Sequence, residues 1–162
     1  MKTSGFTLVE TLVSLFILSI AISATLAIIT FNLNNANFVK NNFIASGLAQ
    51  EGAEVVRNLR DTDWFTPGQS FGYLGGTSVA NGVYCVQWDS ELLTPIASCS
   101  NPLKKDASGT YQHGSGSATI FSRTVTVDPV SASELRITVN VTWPERGGIR
   151  TISAEEHLYD WF

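Results

Sequence analysis

The chain has 162 residues, a net charge of −4 at pH 7 and an isoelectric point near 5.0. This acidic balance argues against a nucleic-acid-binding surface, and the only adjacent basic pair, Lys104 and Lys105, is expected in a solvated loop. The length allows one modest globular core in addition to a membrane segment.

The start of the chain combines a glycine, one acidic residue and a long apolar run. Residues 6–31 contain Glu10 as their only charged residue, and they are long enough to span a bilayer, which needs about 20 apolar residues. A carboxylate in such a segment is unfavourable by about 2.5–3.5 kcal/mol at the bilayer centre and by less near its end. A secretory signal cleaved after Ala24 and a plain single-pass anchor both fit the hydropathy, but neither explains Glu10 or Gly5.

The segment from Lys2 to Val13 resembles the processing site of type IV prepilins and pseudopilins, with a basic leader residue, a glycine and a phenylalanine before the apolar run. The resemblance implies that a membrane-embedded prepilin peptidase removes residues 1–5 as a leader, cutting between Gly5 and Phe6, and N-methylates Phe6. It also implies that Glu10 meets the amino terminus of a neighbouring pilin during assembly. A buried pair of this kind needs close geometry to be favourable, so it sets the register of packing more than it adds stability.

A single helix is predicted from residue 6 to about residue 61, because no proline precedes Pro67. Residues 6–31 are apolar on all sides, as expected of a lipid-facing half, whereas residues 32–62 form an amphipathic half. The apolar stripe of this second half comprises Ile44, Ala45, Leu48, Val55, Val56 and Leu59, and the opposite face carries Gln50, Glu51, Glu54, Arg57, Asn58 and Asp61.

Two further features of the amphipathic half can be tested against the structure. Arg57 is placed to pair with both Glu54 and Asp61 at helical spacing. Gly47 and Gly52 each cost about 1 kcal/mol relative to alanine in a helix, so a close backbone approach is expected to explain them.

The remaining chain, residues 63–162, is predicted to form a globular domain rich in β-structure outside the cytoplasm. Its strand-like segments, with apolar or alternating patterns, are residues 83–88, 121–127, 136–143 and 149–159. They predict an antiparallel meander of three or four strands with one apolar face, which the helix stripe is expected to cover. The predicted fold class is therefore α+β and pilin-like, with a long N-terminal helix packed on a small antiparallel sheet.

Cys85 and Cys99 are the only two cysteines. Lys2 before the apolar run indicates a cytoplasmic start and an exported domain, in which a disulfide between them is expected. Closing a loop of about 15 residues is worth about 3 kcal/mol in the chain-entropy model, and two free buried thiols are the alternative. A metal site is not expected, because His113 and His157 lack a cysteine pair at metal-binding spacing.

No catalytic motif is present, so a function without enzymatic activity and without a cofactor is predicted. The strand that ends in Val139–Trp143, with the Glu-Arg-Gly-Gly turn after it, more loosely resembles minor pilins of the pilus-modification type. The resemblance implies a single-pass precursor in the cytoplasmic membrane, which other pilins join in an extracellular or periplasmic filament or in its tip complex. Two alternatives stay open. One is a pseudopilin of a type II secretion system, and the other is a monomeric membrane-tethered module that binds a ligand through Trp64, Trp88 or its loops and does not need Glu10.

Overall fold

The computed structural model describes residues 5, 7–68 and 71–160, and the chain divides into two compact units, Met1–Asn41 and Asn42–Phe162. Within the described residues one α-helix precedes all the strands. The elements are α1 (Leu8–Trp64), β1 (Gly82–Cys85), β2 (Thr94–Pro95), β3 (Lys104–Lys105), β4 (Tyr111–Gln112), β5 (Ser117–Ala118), β6 (Ser122–Ser131), β7 (Glu134–Glu145) and β8 (Gly148–Tyr159), with a 3-10 turn at Ile96–Ser98.

The first unit contains the apolar beginning of α1. None of the residues in its most hydrophobic stretch is buried within the protein. Among the described residues, α1 is the one helix whose length and composition would allow it to cross a membrane.

The second unit contains an antiparallel sheet with the strand order β2-β1-β6-β7-β8. Strands β6, β7 and β8 form the predicted meander, and β7 pairs with β8 without a break from Glu134 opposite Tyr159 to Glu145 opposite Gly148. A smaller sheet, with the order β4-β3-β5, lies within the segment 90–118, for which no strands were predicted. The predicted α+β class, with a long N-terminal helix and antiparallel strands, is confirmed.

One side of the later part of α1 packs on the apolar face of the larger sheet. The predicted stripe is confirmed at Ala45, Leu48, Val56 and Leu59, whereas Ile44 and Val55 are only partly buried. The centre of the contact also includes Ala49 and Gly52, which were not part of the predicted stripe. Small residues lie there because the sheet approaches the helix backbone closely.

Gly52 shows how close this approach is. A Cβ atom added at Gly52 would lie 2.9 Å from Cγ1 of Val139 and 3.3 Å from Cδ of Arg123. The predicted close approach is therefore confirmed at Gly52. It is wrong at Gly47, where an added Cβ would have no neighbour within 4 Å.

Arg123 of β6 joins the helix to the sheet. Its side chain is fully buried, and its Nη1 donates hydrogen bonds to the Leu48 carbonyl oxygen at 3.1 Å and to Glu51 Oε1 at 2.9 Å. Its Nη2 donates to the Val86 carbonyl oxygen at 2.7 Å, while its Nε has no hydrogen-bond partner among the described atoms. One guanidinium thus holds together α1, β6 and the segment that follows β1.

Ion pairs on the outer side of α1 add a second connection to the sheet. Arg57 pairs with Glu54 at 2.6 Å, as predicted, but its other partner is Glu156 of β8, at 2.5 Å. The predicted pair of Arg57 with Asp61 is wrong, because Asp61 pairs with Arg60 at 2.5 Å. Arg57 therefore pairs with Glu156, which the fold brings close to it, and not with Asp61, which lies one helical turn away in sequence.

The two helix glycines give a matched pair of substitutions. Gly47→Ala should stabilise the protein by up to about 1 kcal/mol, because the new methyl group meets nothing and the helix loses a glycine. Gly52→Ala should destabilise it, because the buried Val139 side chain has no room to move away. Thermal unfolding of the full-length protein in detergent, followed by circular dichroism, measures both effects. An equal rise in melting temperature for the two variants would contradict the close approach at Gly52.

Candidate processing and assembly site

Gly5 lies just before the helix and is exposed. A Cβ atom added to Gly5 would meet no described atom within 4 Å. The fold of the chain therefore does not itself require glycine at this position, in contrast to Gly52. Phe6, the residue expected to become the methylated amino terminus, lies outside the described residues.

Thr7 caps the beginning of α1. The Glu10 backbone N–H donates a hydrogen bond to Thr7 Oγ1 at 3.3 Å, and the Thr11 N–H donates to the Thr7 carbonyl oxygen at 3.2 Å. Thr7 and Glu10 have the spacing of a capping box, in which a hydroxyl and an acid satisfy the first backbone N–H groups of a helix. The sequence analysis missed this capping role of Thr7, although the Thr-x-x-Glu spacing signals it. A carboxylate in the first turn also interacts favourably with the helix dipole.

Hydroxyl groups in the apolar part of α1 are satisfied by the backbone of their own helix. Each donates to a carbonyl oxygen three or four residues earlier, at 2.7–2.9 Å; the donors are Thr11, Ser14, Ser19, Ser23, Thr25 and Thr30. Such internally bonded hydroxyls are compatible with a lipid environment. Ser14 donates to the backbone oxygen of Glu10 and not to its carboxylate.

The Glu10 carboxylate is exposed, and no ion pair of Glu10 is present in the described part of the chain. The next charged residue along the sequence is Lys40, which a helical rise of 1.5 Å per residue places about 45 Å away. Glu10 is therefore a charge in an apolar helix without a cation beside it among residues 7–39. The beginning of α1 thus combines one acidic side chain with an exposed apolar surface, and this combination suits packing against another chain.

Cys85 and Cys99 are joined by a disulfide in the structure, with their Cα atoms 6.5 Å apart. This Cα separation is within the usual range for disulfides. Cys85 ends β1, and Cys99 follows the 3-10 turn, so the bond closes the loop that contains β2. Formation of this bond in the exported protein stays a prediction.

The two histidines lie in different surroundings and form no common site. His113 borders a cavity of about 280 Å³ next to the two cysteines, and its Nδ1 lies 2.8 Å from the Ser100 carbonyl oxygen. Burial lowers the pKa of His113, and the nearby charge of Arg123 lowers it further. His157 is hydrogen-bonded to Glu134 and Glu155 on the outer face of the sheet, and these bonds raise its pKa.

These opposite pKa shifts predict opposite effects on stability during acidification. Because the folded protein disfavours a proton on His113, stability from this residue falls as the pH decreases below the unfolded-state pKa, near 6.5. His157 contributes stability below that pKa and loses it as the pH rises through its raised folded-state pKa. Between pH 7.5 and 5.5, the melting temperature of His113→Gln should therefore fall less than that of the wild type, and that of His157→Gln should fall more. Equal decreases in the three proteins would contradict these shifts.

Comparisons with known proteins find similarity at the beginning of the chain. Residues 1–26 match the family model described as the Prokaryotic N-terminal methylation motif. No curated protein and no solved structure shows significant similarity to the chain. The recognition of a prepilin-type head is therefore confirmed, and together with the long apolar helix it supports a pilin or pseudopilin subunit.

Proposed function

We propose that the protein is a minor type IV pilin, processed by prepilin peptidase and assembled into a pilus filament or its tip complex. The single observation that carries this proposal is Glu10, a carboxylate without a cationic partner among residues 7–39, within the segment that matches the methylation motif. In this proposal the peptidase cuts between Gly5 and Phe6 and methylates Phe6. The precursor is inserted in the cytoplasmic membrane, with the domain of residues 63–162 outside.

The physical argument concerns two charges that are each unfavourable in a low-dielectric environment. Cleavage after Gly5 creates an ammonium group on Phe6, close to the apolar part of α1. Placing either this ammonium or the Glu10 carboxylate alone in an apolar environment costs several kcal/mol. When two subunits pack through their helices, the amine of one and the carboxylate of the other offset each other's desolvation. Because this requires close geometry, the pair selects one axial register between neighbouring helices.

The proposal puts a pilus before a secretion system because of a loose resemblance in the second half of the chain, and the fibre experiment below separates the two. The strand that ends in Trp143 and the Glu-Arg-Gly-Gly turn resemble minor pilins of the pilus-modification type. A structural function agrees with the prepilin family, whose members are filament subunits, and the proposal assigns no catalytic step to any residue.

Processing is the first consequence to test. Coexpression of the full-length chain with a prepilin peptidase should remove Met1–Gly5 and add one methyl group, both visible by intact-protein mass spectrometry. Gly5→Leu should block cleavage, because the requirement for glycine here comes from the peptidase and not from the fold. Gly47→Ala, at another glycine without close neighbours, is the matched control and should be processed normally. An uncleaved wild-type chain in the presence of active peptidase would refute the processing proposal.

Incorporation into filaments is the second consequence. Glu10→Gln removes the charge and keeps the shape of the side chain, so the variant should still be inserted in the membrane and cleaved. Its amount in the sheared surface-fibre fraction should fall about tenfold or more, because the amine of the neighbouring subunit loses its partner. Ser14→Ala removes a hydroxyl one turn away that bonds only to the helix backbone, and it should be incorporated normally.

The same fractions distinguish the alternatives. A tethered binding module would tolerate Glu10→Gln and would stay in the membrane. A pseudopilin would depend on Glu10 but would not be found in surface fibres of the wild-type strain.

A further inference from the structure

His113 is bonded to both of the segments that the disulfide joins. Its backbone N–H donates a hydrogen bond to Gln87 Oε1 at 3.0 Å, and its ring Nδ1 lies 2.8 Å from the Ser100 carbonyl oxygen. Because a carbonyl oxygen only accepts hydrogen bonds, Nδ1 is the donor. Gln87 lies two residues after Cys85, and Ser100 directly follows Cys99. We call His113 with these two bonds the histidine latch.

The histidine latch lies beside the disulfide. His113, Cys85 and Cys99 all line the same cavity of about 280 Å³. Cys85 is only 2 % exposed, whereas Cys99 is half-buried. A reagent that breaks a disulfide must reach one of the two sulfur atoms, so the walls of this cavity control its access.

The segment that follows the histidine latch is held weakly. None of the residues 112–118 is buried, and the strands on either side, β4 and β5, have two residues each. Segments with few buried contacts open locally at a lower free-energy cost than the core strands. The latch can therefore open while the larger sheet stays folded.

The closed latch has no place for a second proton on the His113 ring. Nδ1 already carries one, and Nε2 is buried without a hydrogen-bond partner among the described atoms. Burial lowers the pKa of His113 and the charge of Arg123 lowers it further, while the carbonyl groups of Ser100 and Val86 offset part of the shift. The Val86 carbonyl oxygen already accepts a hydrogen bond from Arg123 Nη2. The imidazolium is therefore favoured only where Nε2 can reach water.

The charged groups around the histidine latch do not compensate for such a proton. Arg123 of β6 is paired with Glu51, and Lys104 of β3 donates a hydrogen bond to the carbonyl group that follows His113, at 2.8 Å. Asp89 accepts a hydrogen bond from the amide of the glutamine in the latch, at 2.7 Å. Within the described ranges no carboxylate forms an ion pair with His113.

We infer that the histidine latch is an acid-sensitive cover over the disulfide. While His113 is neutral, its two bonds hold the segment 113–118 against the chain on both sides of Cys85 and Cys99. Protonation of His113 releases the segment and opens the cavity wall, so that reducing agents reach the sulfur atoms. Strands β6, β7 and β8 stay folded, because neither bond of the latch involves them. The inference concerns the globular domain and does not depend on the proposed function.

The size of the effect follows from proton linkage. A histidine in water has a pKa near 6.5, so in the open state about ten molecules are protonated for each neutral one at pH 5.5. If the closed latch accepts no proton, the opening equilibrium rises by about tenfold between pH 7.5 and pH 5.5. The direction agrees with the lowered pKa, because a group of this kind stabilises the closed state only while it is neutral.

The rate of disulfide reduction by a water-soluble phosphine measures this opening in the full-length protein in detergent. The phosphine attacks one sulfur atom, the S–S bond breaks, and water supplies the oxygen of the phosphine oxide and the protons of two thiols. The rate is measured at pH 7.5 and pH 5.5 and divided by the rate for oxidised glutathione under the same conditions. For the wild type this corrected rate should rise several-fold, up to about tenfold, on acidification.

Two histidine variants provide the comparison. His113→Gln keeps a hydrogen-bond donor but does not titrate, so its corrected rate should not change between the two pH values. His157→Gln is the matched control on the outer face of the sheet and should behave as the wild type does. Amide hydrogen exchange, corrected for its intrinsic pH dependence, should show that residue 113 of the wild type loses protection at pH 5.5 while β7 keeps it.

Three results would overturn the inference. The first is an equal pH dependence of the corrected rate in the wild type and in His113→Gln, and the second is a loss of protection at pH 5.5 that extends through β7. The third is a wild-type chain whose cysteines react with iodoacetamide before any reductant is added, because such a chain has no bond to cover. None of these measurements depends on cleavage after Gly5, so the proposed function is tested separately.

Discussion

The charge of Glu10 is the constraint on which the account of this protein depends. The hydroxyl groups around it bond to their own helix, and its backbone N–H is capped by Thr7. A capping box, however, works with glutamine as well as with glutamate, and a neutral amide costs less to desolvate than a carboxylate. Helix capping therefore does not explain why this residue is charged, and the interaction of a carboxylate with the helix dipole, about 0.3–1 kcal/mol, is smaller than the several kcal/mol that its desolvation costs. In the proposed function a cation from another chain explains it, namely the amine that cleavage after Gly5 would create on Phe6 of a neighbouring subunit.

The same helix meets a different requirement in its second half, where it must lie close to a sheet. Ala45, Ala49 and Gly52 keep the helix surface flat, and the buried Arg123 reaches over it to a helix carbonyl group and to Glu51. Three hydrogen bonds stabilise the buried guanidinium: Nη1 donates to the Leu48 carbonyl oxygen and to Glu51, and Nη2 donates to the Val86 carbonyl oxygen. Within the second unit α1 is thus fixed to the sheet, whereas the large apolar side chains of residues 8–33 are exposed.

Much of this architecture is predictable from local patterns. The long helix, the β6–β8 meander and the Glu54–Arg57 pair all follow from periodicity or helical spacing. Arg123 was missed even though it occupies the apolar side of an alternating strand, between Phe121 and Val125, where its parity signals burial. The small sheet was missed because strands of two residues carry no periodic pattern. The pair of Arg57 with Glu156 depends on a contact between distant segments, which no local pattern reveals.

The most direct test of the central claim is a reconstruction of a filament that contains this chain, at a resolution that shows side chains. The Glu10 carboxylate of one subunit should lie within about 4 Å of the methylated amine of Phe6 in a neighbouring subunit, the distance of an ion pair. A filament in which Glu10 faces solvent, or is paired with nothing while the amine of every neighbour is far away, would contradict it.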